Sequence, residues 1–197
     1  MFVIEQASAE ADVTLMIERE VKLRFESPEQ ARAAILATGA TPLRSRRLQE
    51  DALLDTDDEE LRRRGCVLRI RTEPGKSLLT FKGPVQPGTM KIREEYETVI
   101  GDGEVLQRVF EELGLHAWFR YEKYREEYAA EDATIAIDET PVGTFVEIEG
   151  GEEAILKMTE AIGRSSSDFI LDSYRGLFLR LREGMGLRSA DMIFDQE

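Results

Sequence analysis

The chain has 197 residues, of which 40 are acidic and 26 are basic, so its formal net charge is −14. That length predicts one compact domain. A composition of 42% hydrophobic and 34% charged residues excludes a wholly disordered or collagen-like chain. The acidic balance argues against a general nucleic-acid-binding protein, which would carry a basic surface. It leaves room for an anionic ligand held at a locally basic site.

The sequence contains no signal that would send the protein to a membrane or out of the cell. No apolar run approaches the roughly 20 residues that a membrane-spanning helix needs. Residues 1–10 lack the basic start and the long apolar stretch of a secretory signal. The single cysteine, Cys66, excludes an internal disulfide and is typical of a reducing compartment. We therefore expect a cytoplasmic protein with no membrane partner.

Hydrophobic periodicity predicts a chain dominated by β-strands. Between residues 15 and 26, apolar residues that include Val21, Leu23 and Phe25 alternate with charged ones, which is typical of a strand. Seven further segments with strand character lie at 41–56, 65–71, 78–83, 89–100, 117–129, 133–138 and 144–149. Short turns such as Pro74-Gly75 favour antiparallel pairing.

Helices are predicted between the strands and near the C-terminal end. Ser27 and Pro28 are typical of a helix cap and a first helical residue, and Gly39 is typical of a helix end. Helical spacing recurs at 104–113, 152–162 and 173–181, and a short basic turn lies at 61–64. Residues 1–13 are predicted to be an N-terminal arm and residues 184–197 a C-terminal tail.

Pairs of glutamates two residues apart occur on three of the predicted strands. They are Glu18 with Glu20, Glu95 with Glu97, and Glu147 with Glu149. Two such side chains point the same way, with Cα atoms about 6.5–7 Å apart. They repel each other unless a cation lies between them. Several pairs facing one space would supply oxygen ligands for a hard cation such as Mg²⁺.

Lysines and arginines follow the same strand faces. They are Lys22, Arg69, Arg71, Lys82, Arg93, Lys123 and Arg125. Such side chains suit phosphate oxygens, so carboxylates for a metal beside cations for phosphates point to phosphoryl chemistry. These faces converge if the sheet closes into a barrel with a polar interior, and about eight strands suit a small barrel. The competing interpretation is a set of solvated strand faces.

A succession of motifs resembles the CYTH superfamily, also called triphosphate tunnel metalloenzymes. Glu18-Arg19-Glu20-Val21-Lys22 is similar to the Glu-x-Glu-x-Lys signature of that family. The later blocks, in the family's order, are Leu54-Asp55-Thr56, Leu68-Arg69-Ile70-Arg71, Thr80-Phe81-Lys82-Gly83-Pro84, Arg93-x-Glu95-x-Glu97, Lys123-x-Arg125, Asp138 and the segment 143–149. The resemblance implies an α+β, β-dominated fold: a closed antiparallel eight-stranded barrel that forms a tunnel, with helices packed outside, over residues 14–183.

The resemblance also implies roles for the charged residues. The expected cofactor is Mg²⁺ or Mn²⁺, and the expected metal ligands are Glu18, Glu20, Asp138, Glu147 and Glu149. Asp138 could instead orient an arginine, and Glu95 and Glu97 would support the acidic side. The seven lysines and arginines would hold the phosphates of a small-molecule triphosphate. Lys22 and Lys82 are both candidates for the general base that activates water.

Three functions stay open from the sequence. Hydrolysis of inorganic triphosphate, or of a small organic one such as thiamine triphosphate, is favoured. Adenylyl cyclase members of the family carry a His-Phe pair shortly before the glutamates, and residues 12–16 lack it. A polyphosphate-binding module without turnover would not need so many carboxylates. The sequence leaves open the physiological substrate, the choice of metal and whether the protein forms a homodimer.

A few conspicuous residues are predicted to have no role in catalysis or ligand binding. The only histidine, His116, is assigned to the surface or to packing. Trp118 and Phe119 are assigned to packing at the barrel wall rather than to stacking on a base or a thiazole ring. The basic run 62–64 is interpreted as a solvated turn balanced by the acidic residues before it.

Overall fold

The computed structural model describes residues 16–195, so the predicted arm at 1–13 lies outside the described residues. Its strands are β1 (Met16–Phe25), β2 (Thr41–Asp55), β3 (Val67–Glu73), β4 (Lys76–Lys82), β5 (Lys91–Ile100), β6 (His116–Ala130), β7 (Ala133–Thr140) and β8 (Gly143–Gly150). Its helices are α1 (Pro28–Ala37), α2 (Glu60–Arg63), α3 (Gly103–Glu112), α4 (Glu152–Ala161) and α5 (Tyr174–Leu181). The β-dominated α+β prediction is confirmed.

The eight strands close into a barrel in the order β1-β5-β4-β3-β2-β6-β7-β8. Every neighbouring pair is antiparallel, as the short turns predicted. In the pairing of β1 with β8, Glu20 lies opposite Glu149 and Lys22 opposite Glu147. In the pairing of β1 with β5, Glu18 lies opposite Arg93. The alternating ionic rows therefore meet inside a closed barrel.

The helices were predicted with small errors at their ends. Ser27 caps α1, and its hydroxyl accepts a hydrogen bond from the Gln30 amide at 3.2 Å. Strand β3 begins at Val67, two residues later than predicted, because Gly65 takes a left-handed conformation with φ +72°. Its amide donates to the carbonyl of Arg62, so it closes the turn that follows α2. Helix α5 begins at Tyr174 and has Ser173 as its cap.

Two apolar clusters flank the ionic interior. The first lies on the outer face of β1, β7 and β8, where Leu23 and Ile148 pack with Ile35 of α1 and Ile155 of α4. The second joins Phe119 and Phe145 to the buried face of α5, which includes Phe178. Phe119 and Phe145 alternate with charged interior residues on β6 and β8, so they belong to the inner surface. Helix α5 thus closes one end of the barrel.

The C-terminal tail packs against the barrel. Met192 is fully buried and forms a parallel bridge with Tyr121 on β6. Its amide donates to the Arg120 carbonyl at 3.0 Å, and its carbonyl accepts from the Glu122 amide at 2.8 Å. Little in the sequence pattern after Gly184 indicated that the segment up to residue 195 packs in this way. Among residues 16–195, no helix combines the length and apolar composition needed to cross a membrane.

Candidate active site in the barrel

The interior of the barrel is a cavity of about 540 Å³ with an ionic wall. Thirteen lysines and arginines but only eight glutamates line it. The cavity is therefore cationic in formal charge, although the whole chain carries −14. Such a wall attracts a polyanion locally, without help from the overall charge of the protein.

Strands β1 and β8 supply the carboxylates of one side. Glu18 accepts a hydrogen bond from the Lys82 ammonium at 2.6 Å and one from the Arg93 guanidinium at 3.2 Å. Glu20 pairs with Lys91. Glu147 accepts from Lys22 at 2.6 Å and also pairs with Arg125. Each of these three predicted metal ligands is held by cations from other strands of the barrel.

Glu149 differs from the other three glutamates. Within the described part of the chain it forms no salt bridge, and its side chain is exposed to the solvent of the cavity. Partial desolvation inside the barrel, with the negative charges of Glu18 and Glu20, raises the pKa of Glu149 to about 7. In contrast, the charge and hydrogen bond of Lys82 outweigh burial and lower the pKa of Glu18 to about 2. Within residues 16–195, Glu149 is therefore the one glutamate of β1 and β8 in the cavity wall that has no cation within salt-bridge distance.

The donor set fits a hard divalent cation in its chemistry, because these side chains offer carboxylate oxygens and no sulfur or imidazole. Over residues 16–195, however, no group of three acidic, histidine or cysteine side chains stands close enough together to hold an ion. Lysines and arginines occupy the spaces between the glutamates. A cation would therefore be held by Glu18, Glu20, Glu147 and Glu149 only after some of these ion pairs open.

The predicted supporting residues lie beside this acidic side. Glu95 pairs with the Lys82 ammonium at 2.8 Å. Glu97 accepts from the Thr80 hydroxyl at 2.8 Å and from Arg69 at 3.5 Å. Both glutamates line the cavity. Glu97 is partly exposed, whereas Glu95 is mostly buried.

Two arginines of strand β3, Arg69 and Arg71, contact the same buried aspartate, Asp51. Asp51 on β2 is buried, and its Oδ1 accepts from Nε of Arg71 at 2.9 Å. The same oxygen lies 3.4 Å from Nε of Arg69. Burial opposes ionisation, but the charges of Arg71 and Arg69 lower the pKa of Asp51. Both guanidinium groups reach the cavity, whereas Asp51 does not line it.

Asp138 on β7 holds a second cationic group in the same way. It accepts from Lys123 at 2.8 Å, from Arg125 at 2.7 Å and from the Tyr174 hydroxyl at 2.5 Å. Asp138 is fully buried, and Lys123 and Arg125 line the cavity while Asp138 does not. This placement suits the orienting role named for Asp138 at the sequence level better than metal binding. Burial and the charge of Arg125 lower the pKa of Lys123 to about 7.

The two candidate bases are both tightly paired. Burial would lower the pKa of Lys22, but the charges of Glu147 and Glu20 outweigh it and raise the value. Lys22 is therefore protonated as it stands. Lys82 lies between Glu18 and Glu95, at 2.6 and 2.8 Å from their oxygens. Either lysine is placed to contact a phosphate that displaces one of these carboxylates.

Apart from Asp138, all the residues that the motifs predicted to line the cavity do line it. The structure also places residues at or beside the cavity that the motifs did not predict. Gln49 and Glu73 form one buried addition, because the Gln49 amide donates to Glu73 at 2.8 Å. Glu73 also binds Arg44 and Arg47 near the cavity wall. Lys91 is another addition, and the alternation of β5 could have revealed it, because it lies two residues before Arg93. Tyr174 is the last, and its ring lies 4.5 Å from the Lys22 ammonium.

Trp118 lies in the cavity wall because of an irregularity in β6. Leu53 pairs with Phe119, but the next residue of β2, Leu54, pairs with Ala117. Trp118 therefore has no partner on β2 and is an extra residue in β6, opposite the peptide bond that joins Leu53 to Leu54. Such an extra residue in one strand is a β-bulge. The bulge breaks the alternation, so Trp118 lines the cavity although Phe119 beside it points inward and is buried.

The closed eight-stranded antiparallel barrel with an ionic interior is the architecture that the resemblance to the CYTH superfamily implied. The sequence matches the CYTH domain over residues 16–174, so the chain belongs to the CYTH family. A candidate adenylate cyclase of Methanocaldococcus jannaschii is 30% identical over 176 residues, which is 82% of this chain and 100% of that protein.

Solved structures show the same fold. A conserved hypothetical protein of Pyrococcus furiosus matches with a TM-score of 0.70 and 26% identity, over 83% of this chain and 99% of that one. A candidate adenylyl cyclase of Hippeastrum, which has a dominant triphosphatase activity, matches with a TM-score of 0.59 and 20% identity. That match covers 85% of this chain and 95% of the other.

Proposed function

We propose that this protein is a metal-dependent phosphohydrolase that cleaves inorganic triphosphate or a small organic triphosphate. The observation that carries the proposal is the enclosed cavity, in which more cations than carboxylates face one space. A triphosphate chain is a compact polyanion, so it matches this excess. Its oxygens are suited to the bidentate contacts of arginine and to the point charge of lysine.

The cations are arranged to hold such a chain along its length. Arg69 and Arg71 project from β3 and are oriented by Asp51. Lys123 and Arg125 project from β6 and are oriented by Asp138. Because each pair is fixed by a buried carboxylate, little side-chain freedom is lost when the phosphates bind. Lys22, Lys82 and Arg93 complete the proposed cradle on the side of the glutamates.

The glutamates of β1 and β8 are the proposed metal ligands. Mg²⁺ or Mn²⁺ bound there would neutralise phosphate charge and polarise the scissile phosphoryl group. Phosphate oxygens can replace the glutamates as partners of Lys22 and Lys82, which frees carboxylate oxygens for the metal.

In the proposed reaction, a water oxygen attacks the terminal phosphorus while the bond to the bridging oxygen breaks. The water proton passes to a base, and the remaining phosphate chain leaves with the bonding electrons. Lys82 and Lys22 are the proposed bases. Either lysine must first lose its own proton, so the carboxylate partner must move away.

Adenylyl cyclase activity is the second candidate function. It is supported by the relatedness to the candidate cyclase of M. jannaschii over most of this chain. In that reaction the ribose 3′-oxygen attacks the α-phosphorus of ATP and diphosphate leaves. The same cationic cradle would hold the phosphates in both reactions.

One experiment separates the functions. The purified protein is incubated with Mg²⁺ or Mn²⁺ and, in parallel, with tripolyphosphate, thiamine triphosphate or ATP. Release of orthophosphate supports hydrolysis, and cyclic AMP with diphosphate supports the cyclase. Tight binding without any product would refute both and leave a binding module. Arg71→Gln should abolish turnover, and Glu131→Gln, which alters an exposed residue outside the cavity, is the matched control.

A further inference from the structure

Strand β6 is paired with neighbouring strands along the whole of one edge but only along part of the other. Strand β2 pairs with β6 from His116 to Ala129. Strand β7 pairs with residues 124–130 of β6. Residues 116–123 therefore have a second edge that β7 does not reach. Peptide groups left unpaired on such an edge would let this part of the strand open locally.

The C-terminal tail covers this edge with residues 191–194, which we call the strap. The Met192 amide donates to the Arg120 carbonyl at 3.0 Å, and the Met192 carbonyl accepts from the Glu122 amide at 2.8 Å. The Arg120 amide donates to Oδ1 of Asp191 at 2.8 Å. The strap thus supplies hydrogen-bond partners for the β6 backbone just where the pairing with β7 stops.

Two side chains anchor the strap to the barrel. Met192 is fully buried, in the apolar cluster that also contains Tyr121. The rings of Phe194 and Tyr124 lie 5.3 Å apart, measured between their centroids. By contrast, residues 183–190, which lead from α5 to the strap, are mostly exposed. The strap is therefore a short bound segment at the end of an exposed connection, which is the kind of segment that opens without global unfolding.

Lys123 lies at the junction between the strap and β7. The strap bonds to the Glu122 amide, and the pairing of β6 with β7 begins at Tyr124. Lys123 is the residue between them. Its ammonium donates to the buried Asp138 at 2.8 Å, and its side chain lines the cavity. The strap therefore holds the backbone directly before a cation of the proposed cradle.

We propose that the strap positions Lys123 for polyanion binding, with Asp191 and Met192 as its positioning residues. With the strap bound, β6 is held on both edges up to the start of β7. With the strap open, residues 116–123 are held by β2 alone, so more freedom is lost when a polyanion binds to Lys123. The proposal rests on the proposed function in taking a polyphosphate as the ligand. It concerns a segment beyond residue 174, where the match to the CYTH domain ends.

Hydrogen exchange on the full-length protein measures whether the strap opens. Met192→Asp places a carboxylate in the apolar cluster, so we expect it to release the strap. The amides of Arg120 and Glu122 should then exchange at least about tenfold faster. The Tyr121 amide points toward β2 by strand alternation and should stay protected. Met185→Asp, at an exposed methionine of the same tail, is the matched control.

Calorimetry on the same variants measures the affinity for tripolyphosphate. EDTA is present, and an orthophosphate assay afterwards checks that the ligand stayed intact. We expect Met192→Asp to weaken binding about three- to tenfold, because the charge-assisted contact of Lys123 is loosened and not removed. A strap that served stability alone would leave the affinity of the folded protein unchanged. Wild-type affinity in a variant whose Arg120 amide exchanges fast would therefore overturn the proposal.

A milder pair of variants covers the case in which Met192→Asp fails to fold. Asp191→Ala removes the acceptor of the Arg120 amide and should both speed its exchange and weaken tripolyphosphate binding. Asp191→Asn keeps an acceptor oxygen at this position and should behave as the wild type does. Protection of the Arg120 amide in Asp191→Ala and in every folded Met192 variant would also refute the proposal, because it requires a strap that opens while the barrel stays closed.

A double-mutant cycle tests whether the effect passes through Lys123. Lys123→Met removes the ammonium and keeps an unbranched stem, so it should weaken tripolyphosphate binding by itself. Adding Asp191→Ala to Lys123→Met should then change the affinity by less than about twofold, and by less than Asp191→Ala does alone, since the contact that the strap positions is gone. Losses that simply multiply would show that the strap does not act through Lys123.

These measurements use binding and not turnover, so the two proposals can fail separately. A protein that binds tripolyphosphate in a strap-dependent way but releases no orthophosphate with Mg²⁺ or Mn²⁺ keeps the role of the strap and loses the proposed hydrolysis. A protein that hydrolyses tripolyphosphate, with an affinity that is insensitive to strap release, keeps the hydrolysis and loses the role of the strap. No binding of tripolyphosphate at all would refute both.

Discussion

The hydroxyl of Tyr174 donates a 2.5 Å hydrogen bond to Oδ2 of Asp138, which joins helix α5 to the ionic interior of the barrel. Both residues are buried, and the same carboxylate holds Lys123 and Arg125. Helix α5 therefore does more than cover the barrel end with apolar side chains. It contributes one hydrogen bond and one aromatic ring to the group that orients the cations of β6.

We expect Tyr174→Phe to destabilise the protein by about 1–2 kcal/mol, because it removes one hydrogen bond to a buried charged group. Tyr174→Ala should cost about 3–5 kcal/mol, since it also leaves a cavity beside Phe145 and Phe178. Urea unfolding measures both changes. Tyr96→Phe, at a partly exposed ring, is the matched control and should change little. Wild-type stability in the alanine variant would show that α5 does not close the barrel end.

Strand alternation was sufficient to predict the inner face where the pairing is regular. On β1 and β8, every second residue from Glu18 to Lys22 and from Glu147 to Glu149 lies in the cavity wall. The rule of period two needs no tertiary information, because adjacent side chains of a strand point to opposite faces. The fold and most of the charged wall could therefore be predicted once the strands were assumed to form one closed barrel.

The residues that sequence patterns missed are those where alternation fails or where another element enters. Strand β2 has register shifts on both sides of Arg44, which hide the inward direction of Gln49 and Asp51. Trp118 packs beside Phe119, as predicted, but its additional place in the cavity wall could not be predicted because a bulge is invisible in the pattern. Tyr174 lies on a helix, and only the tertiary fold brings its ring into the barrel. Ion pairing between the predicted metal ligands and lysines likewise depends on strand register.

Asp51 should act as a positioning residue for Arg69 and Arg71. We expect Asp51→Asn to raise KM for tripolyphosphate about tenfold, because the amide cannot hold two guanidinium groups as the carboxylate does. Lower stability should accompany this change, so the readout is KM at a temperature where the variant is fully folded. Arg71→Lys tests the same contact by changing the arginine that donates to Asp51. An unchanged KM in both variants would remove this pair from the substrate site.

Glu147 and Glu149 should respond differently to the same substitution. Glu147→Gln removes the salt-bridge partner of the buried Lys22 and one of the two carboxylates held by Arg125, so we expect a loss of about 3–5 kcal/mol in stability. Glu149→Gln breaks no salt bridge of the described chain and should change stability by less than about 1 kcal/mol. If Glu149 is a metal ligand, Glu149→Gln should still weaken Mn²⁺ binding at least about tenfold, as measured by calorimetry. Unchanged Mn²⁺ affinity would exclude Glu149 from the metal site.

Glu73 should make part of the stability depend on pH at the acidic end. Burial opposes ionisation of Glu73, but hydrogen bonds from Arg44, Gln49 and Arg47 lower its pKa from 4.5 to about 2. A carboxylate with a lowered pKa stabilises the folded state above about pH 4.5, and this contribution falls away as the pH drops toward 2. Glu73→Gln should therefore cost about 1–3 kcal/mol at pH 7, and the difference from wild type should shrink between pH 4.5 and 2.

Urea unfolding at a series of pH values measures this difference. Glu131→Gln, whose carboxylate lies 4.0 Å from Lys157 in an exposed pair, should show no such trend. A Glu73→Gln deficit that stayed constant down to pH 2 would mean that packing, and not the charge of Glu73, holds the arginines in place.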